Sequence, residues 1–69
     1  MEESDIEIVE GRVVEALPST LFRVDIGGKE IITYLGGRMR IHKIKVLVGD
    51  KVSVQIDPYG GKGRIIKRL

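Results

Sequence analysis

Cysteine is absent from the 69 residues, which excludes disulfide staples and thiolate-held metal together. Tryptophan is absent too, and one Phe and two Tyr make up the whole aromatic complement. A general binder of single-stranded nucleic acid presents several stacking platforms, each worth about 1–3 kcal/mol per base, so that class is poorly served. His42 is the sole histidine and sits among Arg38, Arg40, Lys43 and Lys45. No spacing brings a Ser or Thr hydroxyl beside it, so no nucleophile–base pair is in view and no enzyme is expected. No apolar run approaches the ~20 residues of a membrane span. The opening MEESDIEIVEG is acidic, unlike a secretory or organelle-targeting peptide, and a cytoplasmic home is expected. Asn is missing and Gln occurs once among many Ile, Lys and Glu, a composition that leans towards a heat-adapted source.

What remains is charge, and it is unevenly laid out. Met1–Gly37 carries eight acids against Arg12, Arg23 and Lys29, a balance of −5, whereas Arg38–Leu69 carries nine Lys or Arg against Asp50 and Asp57, a balance of +7. Asymmetry between halves points to a nucleic-acid or anionic-surface partner more than the net charge of +2 does. The densest stretch is Gly36–Lys51, with Arg38, Arg40, Lys43, Lys45 and Lys51 facing only Asp50. Such a concentration repels itself unless an anion lies opposite.

The length allows one domain with one small core, burying only ~60% of the unfolded surface. Residues 1–5 read as a loose acidic arm and residues 6–69 as the domain. Ile6 and Ile8 alternate, the phase slips at Val9, and Gly11 precedes Val13-Val14, the pattern of a bulged strand that bends to serve two sheets. Pro18-Ser19-Thr20 makes a turn. Leu21–Ile26 alternates, with Phe22, Val24 and Ile26 on one face and Arg23 and Asp25 on the other. Gly27-Gly28 supplies a hairpin and Lys29–Leu35 returns. A two-residue loop would set Asp25 opposite Glu30, a like-charge pair, so a longer loop is the alternative and the register stays open.

After Gly36-Gly37, Ile41, Ile44 and Val48 suit one helical face while Ile44, Val46 and Val48 also alternate. A short helical turn over Arg38–Lys43 followed by extended chain is expected. Gly49-Asp50 turns, and Lys51–Asp57 is a strand with Val52, Val54 and Ile56 inward and Ser53 and Gln55 outward. Pro58–Gly61 turns again before a last strand, Lys62–Arg68. Five short strands in so small a chain are best satisfied by closure, which removes exposed edges. The predicted fold is therefore all-β, a five-stranded oligonucleotide-binding (OB) barrel of Greek-key type, with a short helix between strands 3 and 4.

Other chemistry finds little support. Glu2, Glu3, Asp5 and Glu7 lack the rigid loop of a Ca²⁺ site and read as a solubilising arm. Gly60-Gly61-Lys62-Gly63 lacks both the upstream Gly and the Ser or Thr after Lys that a P-loop needs, so a hairpin turn suffices. No metal and no cofactor is expected. Lys29 and Arg12 read as ordinary solvated strand residues. The clustered Arg38, Arg40, Lys43, Lys45, Lys62, Arg64, Lys67 and Arg68 read as RNA contacts, Arg clasping phosphate in pairs of bonds and Lys acting as a point charge. Phe22 belongs to the apolar face and reads as core, and recognition by charge and shape of a folded RNA is favoured.

The segments GRVVEALPSTLFRVDI (Gly11–Ile26), GGRMRIHKIKVLVGDKVSVQIDPY (Gly36–Tyr59) and KGRII (Lys62–Ile66) resemble bacterial translation initiation factor one. LPxTxFRV, GxMR, GDKVxV and PY…KGRI occur in the family's order and spacing. The resemblance implies an OB-fold monomer, not an enzyme, that sits in the decoding (A) site of the small ribosomal subunit, keeps aminoacyl-tRNA out, contacts ribosomal RNA through basic loops, and works with initiation factors two and three. By motif, it implies RNA-contacting roles for Arg23, for Arg38, Met39 and Arg40, for Lys51, for Tyr59, and for Lys62 and Arg64, to which the clustering adds Lys43, Lys45, Lys67 and Arg68. Three departures stand out. Ile41-His42-Lys43-Ile44-Lys45 replaces a segment that usually holds an aromatic, Tyr34 stands where a His is common, and the turn after Tyr59 is shortened. Alternatives are an RNA chaperone of the same fold or a small protein-interaction barrel.

Overall fold

The computed structural model describes residues 7–69; the acidic arm expected over residues 1–5, and the strand start expected at Ile6, lie outside the described residues. Five strands, β1 (Glu7–Leu17), β2 (Leu21–Asp25), β3 (Glu30–Leu35), β4 (Lys51–Ile56) and β5 (Gly63–Arg68), enclose the core, and the helix α1 (Gly37–Ile41) lies between β3 and β4. They close into a barrel in the order β1-β2-β3-β5-β4, with β4 returning to β1. Every neighbouring pair is antiparallel except β3 with β5. This is the expected OB barrel, helix included.

Closure depends on β1, which pairs with β4 over Glu7–Arg12 and with β2 over Arg12–Leu17. The irregularity falls at Val14, between Val13 and Glu15, three residues beyond the glycine that suggested it. Gly11 has a different task. A Cβ there would lie 2.5 Å from Val24 Cγ1 and 2.8 Å from the Asp25 carbonyl oxygen, so the strand crosses its neighbour at a separation only a bare backbone permits.

The β2–β3 hairpin takes the two-residue loop, with Gly27 and Gly28 at φ 104 and 88 and the Ile26 N–H donating to Lys29 O at 2.8 Å. Asp25 does stand opposite Glu30. The repulsion is relieved because Asp25 Oδ1 accepts from the N–H groups of Gly27 and Gly28 at 2.9 and 3.0 Å, while Glu30 reaches Arg23 at 3.8 Å.

The helix is shorter than the expected Arg38–Lys43, and Lys43 is what ends it. Lys43 adopts the left-handed conformation, φ 53, so its N–H returns to Arg40 O at 3.1 Å and that of Ile44 to Met39 O at 3.0 Å. Those two bonds form a Schellman cap, with Ile44 and Met39 supplying its apolar contact. Irregular chain follows rather than a strand. Its end is tied to β1 by Val13 N–H to Asp50 O at 2.9 Å and Gly49 N–H to Val13 O at 2.8 Å.

The core is aliphatic and compact: Val13, Val24, Met39, Val46, Val52, Val54 and Ile65 are buried, each side chain contributing about 1.5–3 kcal/mol. Val52 and Val54 point inward as their alternation predicts, and Ile56 is half-buried. Thr33 is the one buried polar side chain among the described residues, and its hydroxyl is satisfied by Phe22 O at 2.9 Å. The last strand begins at Gly63, one residue later than expected. No described helix is long and apolar enough to cross a membrane.

Candidate nucleic-acid interface

A helix advances about 100° per residue, so Arg38 and Arg40 leave α1 on opposite sides of Met39. Met39 is 2% exposed and anchors the helix to the core, which pushes both guanidinium groups into solvent. The expectation that Met39 touches RNA is therefore corrected. It faces the interior because Phe22, Leu35 and Ile44 offer it an apolar seat.

Two groups of cations result. Arg38 shares a cleft with His42, Ile66, Lys67 and Arg68 and borders Arg64 across Gly36. Arg40 shares another with Thr20, Lys43 and Lys45. β5 joins them to the far loop, since it leaves the turn just after Lys62 and carries Arg64, Lys67 and Arg68 alongside β3 and α1. Lys51 opens β4 opposite Arg12, and its carbonyl accepts from the Leu69 N–H at 2.8 Å. Tyr59 is 93% exposed. It rides on a turn fixed by Asp57, whose Oδ1 accepts from the Tyr59 N–H and Oδ2 from the Gly61 N–H, both at 2.9 Å.

Arg23 is the residue the fold sets apart. Its Nε lies 3.1 Å from Glu15 Oε1, off line for a hydrogen bond, and its Nη1 lies 3.8 Å from Glu30 Oε1. The FRV element thus delivers Arg23 to the outer face of β2 between two acids, away from the helix and β5. Alternation already placed it on that outer face beside Asp25.

Among the described residues, these are the only ion pairs. Asp50 and Asp57, the acids of the later half, are engaged by backbone N–H groups of Leu47, Tyr59 and Gly61. The cations of the rim consequently have no carboxylate partner among the described residues, the condition for a salt-sensitive grip on phosphate.

Three residues escaped the sequence reading. Arg12, whose local pattern is that of an ordinary solvated strand residue, donates from Nη1 to Gly49 O at 2.8 Å and holds the loop before β4. Tyr34 and Gln55 flank Arg64 from β3 and β4. Arg68 has an unforeseen second task, donating to Lys45 O at 3.0 Å. The β5 register shifts at Ile66, which sets Arg68 opposite inward-facing Val52 and leans it over the barrel end.

The family model for translation initiation factor 1A / IF-1 matches residues 2–69. The solution structure of translation initiation factor one from the Wolbachia endosymbiont strain TRS of Brugia malayi superposes with a TM-score of 0.80 at 39% identity, covering 99% of this chain and 83% of that one. YjeQ from Thermotoga maritima superposes at TM-score 0.74 and 31% identity over 91% of this chain but 23% of its own. YloQ, a circularly permuted GTPase, does so at 0.78 and 27% over all of this chain and 25% of its own. The chain thus spans about a quarter of those two proteins, and most of the first.

Proposed function

The chain belongs to the translation initiation factor 1A / IF-1 family, and from that premise we propose that its helix-and-β5 rim binds the decoding site of the small ribosomal subunit. Seated there, a barrel 32 × 29 × 22 Å across blocks access of aminoacyl-tRNA to the A site and assists initiation factors two and three. It acts as a monomer and performs no chemistry on its ligand. The observation that carries this reading is the unneutralised charge of the rim: Arg38, Arg40, Lys43, Lys45, Lys51, Lys62, Arg64 and Lys67 are exposed and pair with no carboxylate among the described residues.

Affinity comes from phosphate contacts, and specificity from the shape into which a rigid barrel fits. Tyr59, alone on its turn, offers one stacking surface. A single platform supplements the charge but cannot replace it.

Cosedimentation with isolated small subunits tests the proposal, followed by chemical protection of decoding-site bases. Binding that weakens steeply with salt and disappears on exchanging Arg38 and Arg40 for Glu supports it. Absence of binding, or binding indifferent to that exchange, refutes it. Melting of naked RNA hairpins at similar protein concentrations would identify an RNA chaperone instead.

A further inference from the structure

Most cations of the rim end in solvent, but Arg64 is held. Parallel pairing of β3 with β5 sets Tyr34 beside it, although 30 residues separate the two. The Arg64 Nε–H donates to the Tyr34 hydroxyl at 3.2 Å, and the guanidinium carbon lies 5.8 Å from the centre of the Tyr34 ring, within reach of a cation–π attraction. The stem is gripped as well. A Cβ on Gly36 would lie 3.2 and 3.3 Å from Arg64 Cγ and Cδ and 2.9 Å from Ile65 O, so the bare backbone at Gly36 is the surface along which the side chain lies.

A guanidinium has five N–H donors. With Nε–H given to a phenol, the two terminal amino groups remain, and they form the edge that clasps a phosphate through parallel bonds. Beside them is a small cleft lined by Tyr34, Gln55, Asp57, Lys62 and Arg64. Lys62 adds a second positive charge. Asp57 also lines the cleft and keeps its negative charge, but both its oxygens are engaged by backbone N–H groups, and the two cations Lys62 and Arg64 leave the cleft net positive.

We propose that Arg64 and Lys62 form a subsite for one RNA backbone phosphate and that Tyr34 is its positioning residue, fixing Arg64 through Nε so that its terminal edge faces the ligand. The proposal rests on the RNA-binding reading above and deepens it. A phenol suits this task because it is neutral: a carboxylate in its place would orient the guanidinium and cancel its charge at once. Preorganisation then lowers the entropy lost when a long side chain is immobilised on binding.

The test measures affinity for isolated small subunits across Tyr34→Phe, Tyr34→Ala, Arg64→Ala and the double variant Tyr34→Phe/Arg64→Ala. Melting midpoints confirm that each barrel is folded, Tyr34→Phe being nearly isosteric. Arg64→Ala is expected to weaken binding about tenfold and lower the salt slope by about one. Tyr34→Phe weakens it about threefold, Tyr34→Ala more, and the double variant matches Arg64→Ala alone, the mark of a residue acting through another. In the free protein the Arg64 Nε–H resonance, sharp and slow to exchange, broadens in Tyr34→Phe. Wild-type affinity in Tyr34→Phe, or additive losses in the double variant, overturns the positioning role while the functional reading stands. A wild-type protein that ignores small subunits overturns that reading itself.

Discussion

Arginines are restrained on two sides of this barrel, and by different partners. On the β1–β2–β3 face Arg23 lies between the carboxylates of Glu15 and Glu30. On the rim, Arg68 donates to the carbonyl oxygen of Lys45, and Arg64 to the hydroxyl of Tyr34. A carboxylate fixes a guanidinium and neutralises it. A carbonyl or phenol fixes it and leaves its field intact. One side of the molecule sets its arginine between carboxylates, whereas the other restrains arginine with neutral acceptors and pairs it with no carboxylate among the described residues.

The largest way to break this contrast is to reverse the rim. Arg38→Glu/Arg40→Glu should lower small-subunit affinity more than about a hundredfold, measured by cosedimentation at fixed salt, with the melting midpoint little changed because both side chains are exposed. A subtler intrusion gives the rim a carboxylate of its own. Gln55 pairs with Arg64, and Gln55→Glu should reproduce there the situation of Arg23, weakening binding about tenfold in a filter-binding assay.

Lys43→Gly separates charge from backbone strain. Relief of the left-handed lysine should raise stability by about 0.5–1 kcal/mol in urea unfolding, while loss of one cation lowers affinity about threefold. A gain in stability with affinity unchanged would mean that Lys43 faces no anion. Smallest of all is Arg23→Ala. Its ion pairs are half-exposed and contribute less than about 1 kcal/mol, and small-subunit affinity should stay within about twofold of wild type. A tenfold loss would place Arg23 on the RNA after all and erase the distinction between the faces.

Much of the barrel was legible in residue order because its strands alternate. Val52, Val54 and Ile56 announced β4, and the Val9–Val14 phase slip announced a strand shared between two neighbours. What escaped depends on partners distant in sequence. Periodicity could not show that Asp25 would turn its charge into its own hairpin loop, so the register stayed open. Nor could it show that Lys43 would accept positive φ to let Ile44 reach Met39. The site divides in the same way. Clustering found the helix and β5 cations, but motif membership could not show that Met39 has core neighbours, nor that acids from β1 and β3 converge on Arg23. Tyr34 and Arg12 act through residues that only closure brings near, and no local pattern marks them.

The parallel junction of β3 with β5, Thr33–Leu35 against Gly63–Ile65, is the shortest ladder in the cylinder. A closed wall tears where it is least stitched, so opening should begin along that line, and amide protons there should exchange with solvent soonest among the strands. Arg38 follows one lip of this join and Arg64 sits on the other. A polyanion gripping both lies across the tear like a suture, so the ligand would raise the protein's melting temperature, and a chain loosened at the join would lose its hold on RNA before it lost its shape.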